Sequence, residues 1–83
     1  MKYRGKVIVT LKDGVFDPQG VTIKNALHSL SFENVEEVKT GKFFEVLFYA
    51  ESDAEAERLL KEMCHQLLAN PIIEDFSLSL EKI

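Results

Sequence analysis

The chain has one cysteine, no tryptophan, two prolines and four glycines in 83 residues. A lone Cys64 excludes an internal disulfide and, with it, the stapled scaffolds of small secreted proteins. No apolar run approaches the ~20 residues that cross a bilayer, and the residues after Met1 are too polar and basic for a signal peptide. A soluble protein of the reducing cytoplasm, without a membrane partner, is expected. Positive charge is scarce as well: 10 Lys+Arg against 14 Asp+Glu leave a formal net charge of −4, which argues against a nucleic-acid partner. The length suits one domain, residues 1–83, with a core small enough to gain stability from an oligomer interface.

What is present is regular patterning. Tyr3, Val7, Val9 and Leu11 alternate with Lys2, Arg4, Lys6, Ile8 and Thr10, as in a half-buried strand. Pro18 ends that direction, Asp17 or Gln19 can cap a following helix, and Gly20 lets backbone approach closely. The helix spans about Gly20 to Leu30 and is expected to bury Ile23, Ala26, Leu27 and Leu30, leaving His28 outside. A short strand through Val38, a hairpin at Thr40-Gly41-Lys42 with Gly41 at positive φ, and a strand from Phe43 to Ala50 should follow. That third strand is apolar on both faces. Phe44, Val46 and Phe48 oppose Phe43, Leu47 and Tyr49, so a second layer or chain should cover the outer strip that Ile8 joins. Ser52-Asp53-Ala54-Glu55 reads as a capping box. Behind it Ala56, Leu59, Leu60, Met63, Leu67 and Leu68 form an apolar stripe, with Glu57–Lys61 and Arg58–Glu62 spaced as outer pairs. Asn70-Pro71 stops this helix, and Phe76, Leu78 and Leu80 face the core from a last strand. The order β-α-β-β-α-β predicts an α+β two-layer sandwich of ferredoxin-like topology, its antiparallel sheet ordered 4-1-3-2.

No catalytic set can be drawn from these residues. Cys64 and His65 are helix neighbours pointing about 100° apart, a poor pair for a metal, and Cys64 sits beside the apolar stripe like a small core residue. Gly14 and Gly20 fit no phosphate-binding fingerprint. An acylphosphatase of this topology would want an arginine between Lys12 and Gly20, where there is none. The Lys42–Phe48 segment faintly resembles an RNA-recognition motif, but Glu45 and the acidic total oppose that. Asp17-Pro18-Gln19-Gly20 also resembles the first loop of ACT-type amino-acid-sensing domains, the alternative reading.

Three blocks together resemble one family more specifically: Asp17-Pro18-Gln19-Gly20 with Ala26-Leu27-His28-Ser29-Leu30; Val35 through Lys42; and Met63 through Phe76, containing Leu67-Leu68-Ala69-Asn70-Pro71-Ile72-Ile73-Glu74-Asp75. In order and spacing they are similar to PurS, the small subunits of phosphoribosylformylglycinamidine (FGAM) synthase. The resemblance implies a non-catalytic subunit that joins a glutaminase to an ATP-dependent synthetase in de novo purine synthesis. It implies no cofactor in this chain, with ATP and magnesium on the synthetase, and a homo-dimer or pair of dimers. The implied partner contacts are Asp17, Gln19 and Gly20 in the first loop, Gly41 and Lys42 before the third strand, and Asn70, Pro71, Glu74 and Asp75 after the second helix. Ile8, Phe43, Leu47 and Tyr49 are the candidates for oligomer contact.

Overall fold

The structure is a computed structural model that describes every residue from Met1 to Ile83. Strand β1 (Lys2–Leu11) lies between β2 (Gly41–Tyr49) and β3 (Glu74–Lys82), both antiparallel to it, in the order β2-β1-β3. Helix α1 (Pro18–Ser29) connects β1 to β2, and α2 (Asp53–Met63), extended by a π-turn over Cys64–Leu68, connects β2 to β3. The α+β antiparallel architecture is the expected one, and the three strands stand in the expected relative order. Residues 35–40 differ: they form no strand, so the outer edge of β2 is unpaired.

The alternation of β1 decides the core. Tyr3, Gly5, Val7 and Val9 are buried on one face, where Val7 and Val9 meet Leu60, Cys64 and Ala69, with Phe76, Leu78 and Leu80 at the margin. Gly5 is what admits α2, since a Cβ there would meet the Leu60 side chain at 2.7 Å. Ser52 starts α2 by accepting from Glu55 N–H at 3.1 Å, the forward half of the capping box. The outer pairs Arg58–Glu62 and Glu57–Lys61 form at 3.2 and 3.3 Å. Leu67 departs from the expected stripe and is 84% exposed. The π-turn inserts an extra residue into the helical register, which swings Leu67 outward while Leu68 stays half-buried.

The larger departure is α1. Its apolar stripe is present, yet Ile23 is 37% and Leu30 68% exposed, and Gly20 is the helix's only buried residue. The expected burial of Ile23, Ala26 and Leu30 is therefore corrected, because α1 stands beyond the end of the sheet instead of on it. The molecule measures 51 × 27 × 14 Å with a radius of gyration of 16.5 Å, against about 12 Å for a compact chain of this length. Gly41 explains the geometry. It pairs with Thr10 as the first residue of β2 and does not have positive φ, so no hairpin reverses the chain there. A Cβ at Gly41 would sit 2.6 Å from Val9 O, and glycine is needed for this close strand approach rather than for a turn.

Candidate contact site

The end of the sheet where β1 finishes and both neighbours begin collects all three sequence blocks. Asp17 caps α1, its Oδ1 accepting from Gly20 N–H at 2.9 Å, and its Oδ2 accepts from Thr40 N–H at 2.8 Å. These N–H groups, Thr40's foremost, hold the Asp17 carboxyl below its ordinary pKa. Gly20 lies so close to the Val38 carbonyl that no side chain fits between them. Lys39 Nζ donates to Asp13 Oδ1 at 2.8 Å, and His28 Nε2 lies 2.7 Å from Val35 O. His28 is thus half-buried against the returning chain, not the surface residue expected. Together these contacts bind α1 and residues 35–40 into one arm, with an open groove of about 580 Å³ beside the loop at 11–17.

The third block closes on itself. Asn70 N–H donates to Glu74 Oε1 at 2.7 Å, Glu74 N–H donates to Asn70 O at 2.8 Å, and Ile72 N–H donates to Asn70 Oδ1 at 3.0 Å. Lys42 Nζ approaches the same Glu74 carboxylate at 3.8 Å, joining the second block to the third, and Lys12 Nζ lies 3.6 Å from Asp75. Register explains the convergence: Thr10 faces Gly41 on one side and Asp75 on the other. Of the nine candidate contact residues, Asp17, Gly20, Asn70 and Glu74 are committed to internal bonds or packing. Gln19 and Pro71 stay exposed and make no side-chain hydrogen bond within the chain. Pro71 and the next residue, Ile72, are both exposed.

The four oligomer candidates share the sheet's outer face. Ile8 and Phe43 are directly opposed, Leu47 faces Arg4 and Tyr49 faces Lys2, and all four are exposed. Between them Arg4 Nε lies 2.7 Å from Glu45 Oε1, off the hydrogen-bond direction, and its Nη1 donates to Glu81 at 3.2 Å. This cross-strand clamp was not anticipated, although period-2 alternation of Arg4, Glu45 and Glu81 on paired strands is its signal.

The groups with chemical potential are otherwise engaged. Cys64 is buried, which pushes its thiol pKa up. The His65 ring stands edge-on to Phe76 with centroids 5.2 Å apart, and no three His, Cys, Asp or Glu side chains are placed to hold a metal ion. No helix is long and apolar enough to cross a membrane.

Fold and site define a small α+β module of the ferredoxin-like class, with a polar cluster at one end of its sheet and a helical arm beyond. The chain belongs to the PurS family, described as phosphoribosylformylglycinamidine (FGAM) synthase, whose sequence pattern matches residues 4–82. The Methanocaldococcus jannaschii synthase subunit PurS is 43% identical over 81 residues, covering 98% of both chains. The Bacillus subtilis subunit is 44% identical, covering 98% of this chain and 95% of its own. The crystal structure of M. jannaschii PurS, one of the subunits of formylglycinamide ribonucleotide amidotransferase, superposes with a TM-score of 0.84 over 98% of each chain. A chain of the PurLQS structure from Thermotoga maritima, 26% identical, superposes at 0.88 over 98% of this chain and 99% of that one. The amino-acid-sensing alternative gains no support from these matches.

Proposed function

We propose that this chain is the small, non-catalytic subunit of FGAM synthase, joining a glutaminase subunit to an ATP-dependent synthetase subunit in the cytoplasmic synthesis of purines. The observation that carries the reading is the match, along nearly its whole length, to a chain of the T. maritima PurLQS structure. The site is consistent with it: Cys64 is buried, both histidines are engaged, and no nucleophile lies beside a base. ATP and magnesium belong on the synthetase partner, and this chain needs no cofactor. Its contact surface is the end of the sheet where Gln19, Lys42, Pro71 and Asp75 are exposed.

The test is reconstitution. The chain should co-purify with the two larger subunits, with ATP and glutamine present or absent as a second variable. Glutamine-dependent amidine formation from the formylglycinamide ribonucleotide should require all three. Full activity of the two larger subunits without this chain would end the proposal, as would turnover of ATP or glutamine by this chain alone that a point substitution in it abolishes.

A further inference from the structure

A subunit that joins two larger ones needs a contact surface for each, and the sheet end around Gln19 and Pro71 supplies one. A second lies along the outer edge of β3, toward the opposite end of the sheet. This strand has β1 on one side and no strand on the other. Lys12 N–H donates to Ile73 O at 2.8 Å and Ile83 N–H to Lys2 O at 2.9 Å, so by antiparallel alternation it is the odd-numbered residues of β3 that bond to β1. The backbone N–H and C=O groups of Phe76, Leu78 and Leu80 therefore point to the open edge. Natural sheets blunt such edges with proline, a bulge or an inward-pointing charge. Between Asp75 and Glu81 β3 has none of these, and its register with β1 is unbroken.

The same edge borders a groove of about 550 Å³ between β3 and the start of α2, with Leu78 and Leu80 on the strand side and Asp53 and Glu57 on the helix side. Asp53 accepts from the Tyr3 hydroxyl through one carboxylate oxygen, and its other oxygen has no hydrogen bond within the chain. Glu57 meets Lys61 at 3.3 Å in an exposed pair, which costs little to open. Lys82 is the one cation lining the groove, and its Nζ lies 3.7 Å from Met1 Sδ. We infer that this edge takes up an extended basic segment of one of the larger subunits as a fourth strand, an inference that rests on the joining role proposed above. Backbone bonds to the edge would hold the segment, alternate apolar side chains would cover Leu78 and Leu80, and a Lys or Arg would meet Asp53 and Glu57.

The test is hydrogen exchange of the full chain, free and in the complex reconstituted with both larger subunits, read residue by residue by fragmentation mass spectrometry. Failure of the complex to form at all ends the joining role, and this inference with it. In a complex that has formed, the Leu78 and Leu80 amides should exchange at least ~10-fold more slowly than in the free chain. Fast exchange there overturns the inference and leaves the joining role standing. Slow exchange already in the free chain also overturns it, because the edge is then covered without a larger subunit. Charge is tested by Glu57→Lys against Glu62→Lys, each of which removes one exposed pair from α2 while only the first alters the groove. With circular dichroism unchanged in both, Glu57→Lys should weaken binding of the larger subunits about tenfold and Glu62→Lys should not. Equal losses from the two, or none from Glu57→Lys, contradict a basic occupant.

Discussion

The carboxylate of Asp17 accepts from the backbone N–H of Gly20 and from that of Thr40, at 2.9 and 2.8 Å, so one side chain both closes the start of α1 and anchors the segment that leads into β2. Because these donors favour the charged form, the folded pKa lies below the ordinary carboxylate range. The sign follows from linkage: a depressed folded pKa stabilises the fold above the unfolded value, and that contribution is lost as pH falls through the folded value. Thr40 amide protection should therefore hold at pH 5 and fall away below the usual aspartate range. Asp17→Asn should flatten that dependence, as hydrogen exchange followed by NMR would record.

Gly20→Ala should be more damaging than the same change at Gly14 in the preceding loop. Its Cβ would run into the Val38 carbonyl, a backbone atom that cannot rotate away. Overpacking of this kind costs about 1–3 kcal/mol. Gly14→Ala provides the contrast, for its site is open and only its φ of +85° is at stake. Urea unfolding midpoints should rank Gly20→Ala below Gly14→Ala.

Apart from the short strand expected through Val38, which does not form, the elements themselves were legible because each rests on local pattern. Alternation located β1 and the faces of β2 and β3, and Ser52 marked the start of α2. The position of α1 was not legible, since Ile23, Ala26, Leu27 and Leu30 specify an apolar face without specifying whose sheet it covers. Gly41 misled for a related reason. Before an apolar strand a glycine reads as a turn, yet here it answers to the nearness of Val9 O, a nonlocal contact with no sequence signature. The Asp17 cap was readable from Pro18 after it, but its second bond to Thr40 joins residues far apart in sequence. At Leu67 helical periodicity failed because the π-turn changes the period itself.

Ser31→Gly should stabilise the chain. Ser31 has φ of 78°, just past the end of α1, where Ser31 N–H donates to His28 O at 3.0 Å and Phe32 N–H to Leu27 O at 2.9 Å. This is a Schellman ending whose left-handed position favours glycine. Removing the Cβ penalty is worth about 1 kcal/mol, and a thermal unfolding midpoint higher than that of the unsubstituted chain is the expected result.

Alkaline pH should loosen the other end of the sheet. Tyr3 is buried and its hydroxyl donates to Asp53 Oδ1 at 2.5 Å. That bond, burial and the nearby carboxylates push the phenol pKa up from 10.0 to about 12. A raised folded pKa contributes fully below the unfolded value and is lost as pH rises through the folded one. Stability should therefore fall between about pH 10 and 12. Tyr49→Phe leaves Tyr3 as the only tyrosine, so tyrosinate absorbance in that variant reports its ionisation directly. Ionisation at the ordinary value would show the hydrogen bond to be absent in solution.

Gln19→Ala separates folding from assembly at the Asp17–Gly20 loop. Asp17 and Gly20 are poor probes of a partner contact, since the first anchors Thr40 and the second admits Val38, and any change there disturbs the arm itself. Gln19 has neither burden. It is exposed in the first turn of α1 and its side chain makes no hydrogen bond within the chain. If the loop serves folding alone, Gln19→Ala should move stability by no more than about 0.5 kcal/mol and leave assembly unchanged. If it meets a larger subunit, stability should stay within the same limit while affinity for the synthetase–glutaminase pair falls about tenfold, the equivalent of 1.4 kcal/mol. We expect the second outcome, because Gln19 is a polar side chain that the fold leaves unused between two residues it commits. Binding measured by calorimetry beside the urea midpoint distinguishes the two, and unchanged affinity would reduce the loop to a capped turn.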